Sequence, residues 1–165
     1  MAPKTRQYTL YILCLTLLAI FLPIIYTHIH MDQILYRQGR QALTANTHAK
    51  AASLFEQAQR AGLDSNELFQ AMAHANMSLG RWSEAEAAYR QMIHLQPEDL
   101  ELKMELANIL FVREEFNLAM DQVQSILQHK PDWSQALFLK GKIHTARGDF
   151  EAAIQIYQKI LGEKG

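Results

Sequence analysis

The sequence predicts an all-α protein: an N-terminal transmembrane helix followed by an α-solenoid of about four helix–turn–helix repeats. Three observations predict it. An uncharged apolar run opens the chain, alanines recur every 34 residues behind it, and bulky apolar residues accompany them at helical spacing. The boundaries read as a flank at 1–7, an anchor at 8–28 and a repeat domain at 29–165, with repeats at about 32–63, 64–97, 98–131 and 132–165. With 165 residues, 49% hydrophobic and 20% charged, the chain suffices for one domain and is neither collagen-like nor wholly disordered. Its net charge of -1 lacks the basic surplus of a nucleic-acid binder. One cysteine leaves no internal disulfide framework and no multi-cysteine zinc site.

The anchor comes first. No charged residue occurs from Gln7 to Thr27, and the run is mostly Leu, Ile, Phe and Tyr. About 20 residues at 1.5 Å rise cover roughly 30 Å, the thickness of a hydrocarbon core. Tyr8, Tyr11 and Tyr26 fall near its two ends, where amphipathic rings prefer the interface, and Pro23 lies close to the exit. A cleaved signal peptide fits less well, because the run is long and IIYTHIHMD offers no small-x-small cleavage site. Lys4 and Arg6 crowd the front flank, whereas the rear has Asp32 before Arg37 and Arg40. The positive-inside rule then keeps the amino end in the cytoplasm and sends the rest across. A bacterial inner membrane with the repeats in the periplasm is the expected location.

Behind the anchor, five columns share one register. Ala51, Ala85, Ala119 and Ala153 are followed four residues later by Phe55, Tyr89, Val123 and Tyr157. Three further on stand Ala58, Met92, Ile126 and Ile160, and small residues recur upstream as Gly39, Ala73, Ala107 and Gly141. Pro97 and Pro131 form the last column, with Leu63 before them and Gly165 after. Offsets of four and three keep Ala51, Phe55 and Ala58 on one face of the second helix, while Gly39, Ala73, Ala107 and Gly141 belong to the first. The small residues let two backbones approach, and the bulky ones fill the space beyond. Asn46, Gly80, Glu114 and Gly148 mark the turn inside each pair, with Glu114 the unorthodox member. His48, Trp82, Phe116 and Phe150, two residues later, are expected to pin each turn to the core. Asp64, Glu98 and Asp132, each followed three residues on by Glu67, Glu101 or Gln135, read as capping boxes, with Asp99 able to replace Glu98.

These columns resemble the tetratricopeptide repeat: its 34-residue period, its small residue in the first helix, its alanine and aromatic in the second, and its terminal proline. The nearest stretches are Trp82, Ala85, Tyr89 and Pro97, and GDFEAAIQIYQKIL at 148–161. The resemblance spans roughly residues 32–165. It departs from the family at Leu63, where proline is usual, and at Lys140, where an apolar residue is usual. It implies a right-handed superhelix whose concave groove is lined by the first helix of each pair, a peptide- or protein-binding role, and no catalysis of its own.

Under that resemblance the groove stripe reads Tyr36, Arg40 and Leu43, then Gln70, His74 and Met77, then Met104, Asn108 and Phe111, then Phe138, Lys142 and Thr145. Met and Phe adapt to varied apolar side chains, and Arg40, Asn108 and Lys142 suit a ligand backbone or carboxylate. Phe111 and Phe138 are expected to stand exposed in adjacent repeats. The cationic clamp by which some relatives grip a terminal carboxylate is absent, since Gln70, His74, Glu105, Gln135 and Leu139 occupy its places. A second contact is expected at the final helix, where Ile154, Ile156, Ile160 and Leu161 lack a covering helix and offer a face to a partner or a second copy.

Catalytic chemistry does not emerge. Seven histidines include the His28–His30 pair at the membrane exit, but none has the i, i+4 spacing of a helical zinc site. The acidic run Glu98, Asp99, Glu101 and Glu105 sits on a helix start and reads as a solvated, dipole-favoured edge. The expected protein is therefore a membrane-tethered scaffold without cofactor or metal, with a protein or peptide partner, the bilayer held through residues 8–28, and no nucleic acid. Assembly, maturation or export of envelope components are the processes such a layout suits. The rivals are a permanent subunit of a membrane complex, its span packing through Cys14, Thr16 and Ala19, and a cytosol-facing peptide receptor.

Overall fold

Four short turns that close helices in the left-handed conformation set the architecture. In a computed structural model of the chain, residues 16, 17, 19–22, 26 and 30–162 are described. From Met31 they form four helix pairs: α1 (Met31–Thr44) with α2 (His48–Arg60), α3 (Asn66–Ser78) with α4 (Trp82–Leu95), α5 (Leu100–Val112) with α6 (Phe116–His129), and α7 (Ser134–Arg147) with α8 (Phe150–Gly162). The expected span at residues 8–28 lies largely outside the described residues. Among those described, no helix is long and apolar enough to cross a membrane.

Inside the pairs, Asn46, Gly80, Glu114 and Gly148 have φ of +55°, +68°, +62° and +84°. The next residue then returns its amide to the carbonyl five positions back: Thr47 to Ala42, Arg81 to Asn76, Glu115 to Leu110 and Asp149 to His144, each at 2.9 Å. This satisfies carbonyls that a helix end would otherwise leave unpaired. The expected turn column is thus a structural column, and glutamate sits in it against its steric preference. A left-handed non-glycine residue costs roughly 1–2 kcal/mol, part of which glycine gives back as unfolded-state entropy. Glu114→Gly should therefore stabilise the fold by about 0.5 kcal/mol, read as a rise in the denaturant midpoint at constant slope.

The helix starts lie one residue later than the capping-box reading placed them. Ser65, not Asp64, caps α3 and accepts the Leu68 amide at 3.2 Å. The Glu67 carboxyl is held below its ordinary value by its own backbone amide and then by the Ser65 hydroxyl. Asp99 caps α5, accepting the amides of Glu101 at 2.9 Å and Leu102 at 3.2 Å. Trp133 precedes α7 without a side-chain cap, and Asp132 instead accepts from Lys159 at 3.4 Å. Where two capping residues adjoin, the one reaching extended backbone angles takes the role, as Ser65 does at φ -153° and ψ 153°.

The chain divides into two compact units, Met1–Leu63 and Asp64–Gly165. In the first, α1 packs on α2 where Gly39 meets Phe55, whose side chain is wholly buried. A Cβ at Gly39 would stand 2.5 Å from the Phe55 ring, so only glycine permits this approach. The second unit repeats the device at Gly141 beneath Tyr157. There each helix from α3 to α8 packs on the next, and α5 also touches α7. Ala107, Leu110, Ala119, Val123, Ile126 and Ile143 form the centre of its core. Phe116 packs onto that core as expected, but Phe150 is 58% exposed. Among the described residues, α8 packs on α7 alone.

Candidate functional site

The same nesting that aligns α5 beside α7 leaves a hollow between them. Residues at i, i+3, i+4 and i+7 of a helix share a face. On α5 these are Glu101, Met104, Glu105 and Asn108; on α7 the opposite wall is built from Ser134, Gln135, Phe138, Leu139 and Lys142. Ile160 closes it from α8, and the space enclosed is about 480 Å³. That is the size of a pocket for one or two side chains of a ligand rather than for a globular partner.

The floor is apolar and the rim polar. Met104 and Leu139 are buried at the base, and Ile160 is half-buried beside them. Phe138 is 54% exposed, with its ring centroid 5.8 Å from that of Tyr157, which fixes an aromatic plate at the edge. Lys142 sends its Nζ 4.5 Å over the Phe111 ring. Phe111 is consequently half-buried, leaning also on Phe116 at 5.6 Å, and does not stand free as expected. Met104, likewise, is a floor residue and not an exposed one.

Of the expected groove residues, Met104, Asn108, Phe138 and Lys142 meet here. Ile160, assigned from sequence to the end face, joins them. Gln70 and His74 lie exposed on α3, away from this lining, and Met77 turns inward, its sulfur accepting from the Tyr89 hydroxyl at 3.9 Å. Tyr36 and Arg40 belong to the first unit, where Tyr36 is half-buried 5.8 Å from the Phe55 ring and Arg40 is exposed. Glu101, Glu105, Ser134, Gln135 and Leu139 line the hollow although the stripe omitted them. The signal for the acids is their four-residue spacing beside Met104, a pattern that a solvated helix edge shares.

On α8 a separate apolar ridge runs along one face. Phe150, Ile154 and Leu161 are 58%, 54% and 72% exposed, whereas Ile156 and Ile160 are half-buried. Ahead of α1, the His30 ring lies 4.5 Å from the Tyr26 ring, and His28 is outside the described residues.

The electrostatics of the hollow reach its neighbours. Burial, and then the Glu105 carboxylate, push the Tyr89 phenol above its ordinary value. A folded-state value above the unfolded one means the contribution is fully present below the unfolded tyrosine value of about 10 and is lost as pH rises through the folded value. Stability should therefore fall in that alkaline window. Tyr89→Phe should flatten the fall, as checked by denaturant titration across the window.

Comparison with known proteins agrees with the helical-repeat fold. The tetratricopeptide repeat family matches at residues 76–143 and again at residues 134–164. The BBSome complex member BBS4 of Mus musculus is 34% identical over 91 residues, covering 54% of this chain and 17% of the mouse protein. The chain thus spans less than a fifth of that relative. Among solved structures, YrrB, described as a TPR protein with an unusual peptide-binding site, superposes with a TM-score of 0.69 at 19% identity, covering 79% of this chain and 68% of that one. MamA superposes with a TM-score of 0.66 at 16% identity, covering 81% and 78%. At such identities these two likenesses concern the fold alone. Residues 76–164 of this chain are tetratricopeptide repeats.

Proposed function

We propose that this protein is a membrane-tethered scaffold that binds a peptide segment of a partner in the hollow between α5 and α7. It works by binding and not by catalysis. The observation that carries the reading is one concave site that joins an apolar floor to a polar rim within the repeats. YrrB's described peptide-binding site, on the same fold, makes a peptide the natural occupant. The tether is residues 8–28. In its favour, the described side chains of Leu17, Ile20, Phe21 and Leu22 are all exposed, which suits lipid rather than water. The charge flanks favour a periplasmic repeat domain, and envelope assembly, maturation or export is the setting this implies. The α8 ridge is a second docking face, for a further subunit or another copy of the chain.

Two measurements test this. A reporter fused after Gly165, with protease protection of the same chain, reads the side of the membrane; a cytosolic signal would overturn the periplasmic placement. A photoreactive residue at position 138, compared with one at position 161, reads the binding face. One reproducible partner peptide from position 138 is expected. Capture confined to position 161 would move the function to the ridge.

A further inference from the structure

We infer that the hollow selects ligand segments carrying a lysine or arginine beside a bulky apolar residue, with Glu101 and Glu105 receiving the cation. This rests on the hollow being the peptide site, and it adds the chemistry of the peptide.

Four acids of the hollow's own unit already hold basic side chains. Glu86 holds Arg90 and Arg113, Glu115 holds Arg113 at 2.7 Å, Asp132 holds Lys159, and Asp149 faces His144. Glu101 and Glu105 differ. Among the described residues neither side chain has an ion-pair or hydrogen-bond partner, and both stand on the wall of the hollow one helical turn apart. Like charges at i, i+4 repel by roughly 0.2–0.5 kcal/mol, and the N-terminus of α5 relieves this only at Glu101, which lies in its first turn. A cation between them would relieve it at both. The Cβ atoms of such a pair are about 5–6 Å apart, so one ammonium or guanidinium group reaches both carboxylates.

The cation in the lining, Lys142, does not take that place, because its Nζ sits over the Phe111 ring. The rim is therefore net negative toward a ligand. The Glu105 carboxylate also bears on Tyr89, adding to the burial that raises its phenol. Met104, Leu139 and Ile160 line the same hollow and are its less exposed members, so a bulky apolar residue next to the cation is the one that they favour. The same arrangement disfavours acidic segments and free carboxylate ends.

The test uses the full chain in detergent micelles and three labelled short peptides with one Leu-Phe centre, flanked by lysine, glutamine or glutamate. Fluorescence anisotropy should rank them lysine, glutamine, glutamate, with about a tenfold spread between the extremes at low salt. The double variant Glu101→Gln, Glu105→Gln should collapse that spread, as should high salt, while circular dichroism stays unchanged. Phe138→Ala should weaken all three peptides alike. Equal binding of the three peptides, still sensitive to Phe138→Ala, would overturn the charge selectivity and leave the peptide site standing. Binding that ignores both Phe138→Ala and the double variant, or no binding by any peptide, would overturn the peptide site itself.

Discussion

Phe55→Ala should cost the first unit about 3–5 kcal/mol, the range for deleting a wholly buried phenylalanine. The argument is geometric. Gly39 exists to admit the Phe55 ring, and the Tyr36 ring lies 5.8 Å from it, centroid to centroid. Removing it leaves a cavity that Gly39, having no side chain, cannot fill. A single helix pair has few other large buried groups to compensate, since the rest of its buried set is mainly alanine. Hydrogen exchange should show loss of amide protection throughout residues 31–60. Retained protection there would mean that the pair is held by something other than the glycine–phenylalanine contact.

Ala119→Leu should destabilise the second unit by about 3 kcal/mol, the upper part of the range for overpacking a core. Ala119 has no exposed surface and sits among Ala107, Leu110 and Val123. Added methylenes there can enter only by forcing α5 and α6 apart. The control is Ala87→Leu, an exposed position on α4, where the same increase in volume and near-equal helix propensity should change stability by less than about 0.5 kcal/mol. Thermal melts of the two variants separate the effects. An unchanged melting temperature for Ala119→Leu would remove the packing account of the alanine column.

The parts of the fold that were legible in sequence are those fixed by sterics. Small residues at Gly39 and Gly141 pair with Phe55 and Tyr157 because backbone approach demands both, and the 34-residue register made the pairing visible. The turn column was legible for the same reason: the left-handed φ is shared by Asn46, Gly80, Glu114 and Gly148, even though glutamate gives no hint of it alone. Caps were less legible, because Asp64 and Ser65 are both competent and only backbone angles chose between them.

The site was legible in part. A single stripe through Met104, Asn108 and Phe111 lies within a turn of the true lining, but helical rotation of 100° per residue puts Glu101 and Glu105 on the hollow and draws Phe111 into contact with Phe116 and Lys142. Ile160 could not be read as lining, since its place depends on how α8 packs beside α7. Long-range placement of this kind is set by the packing of whole helices, not by the local pattern.

The most direct test of the central claim is methyl NMR of the full chain in micelles, titrated with the lysine-flanked Leu-Phe peptide. The account predicts saturable shifts at the Met104, Leu139 and Ile160 methyls, with Ile154 and Leu161 unmoved. Shifts confined to Ile154 and Leu161, or none at the three floor residues, would contradict it.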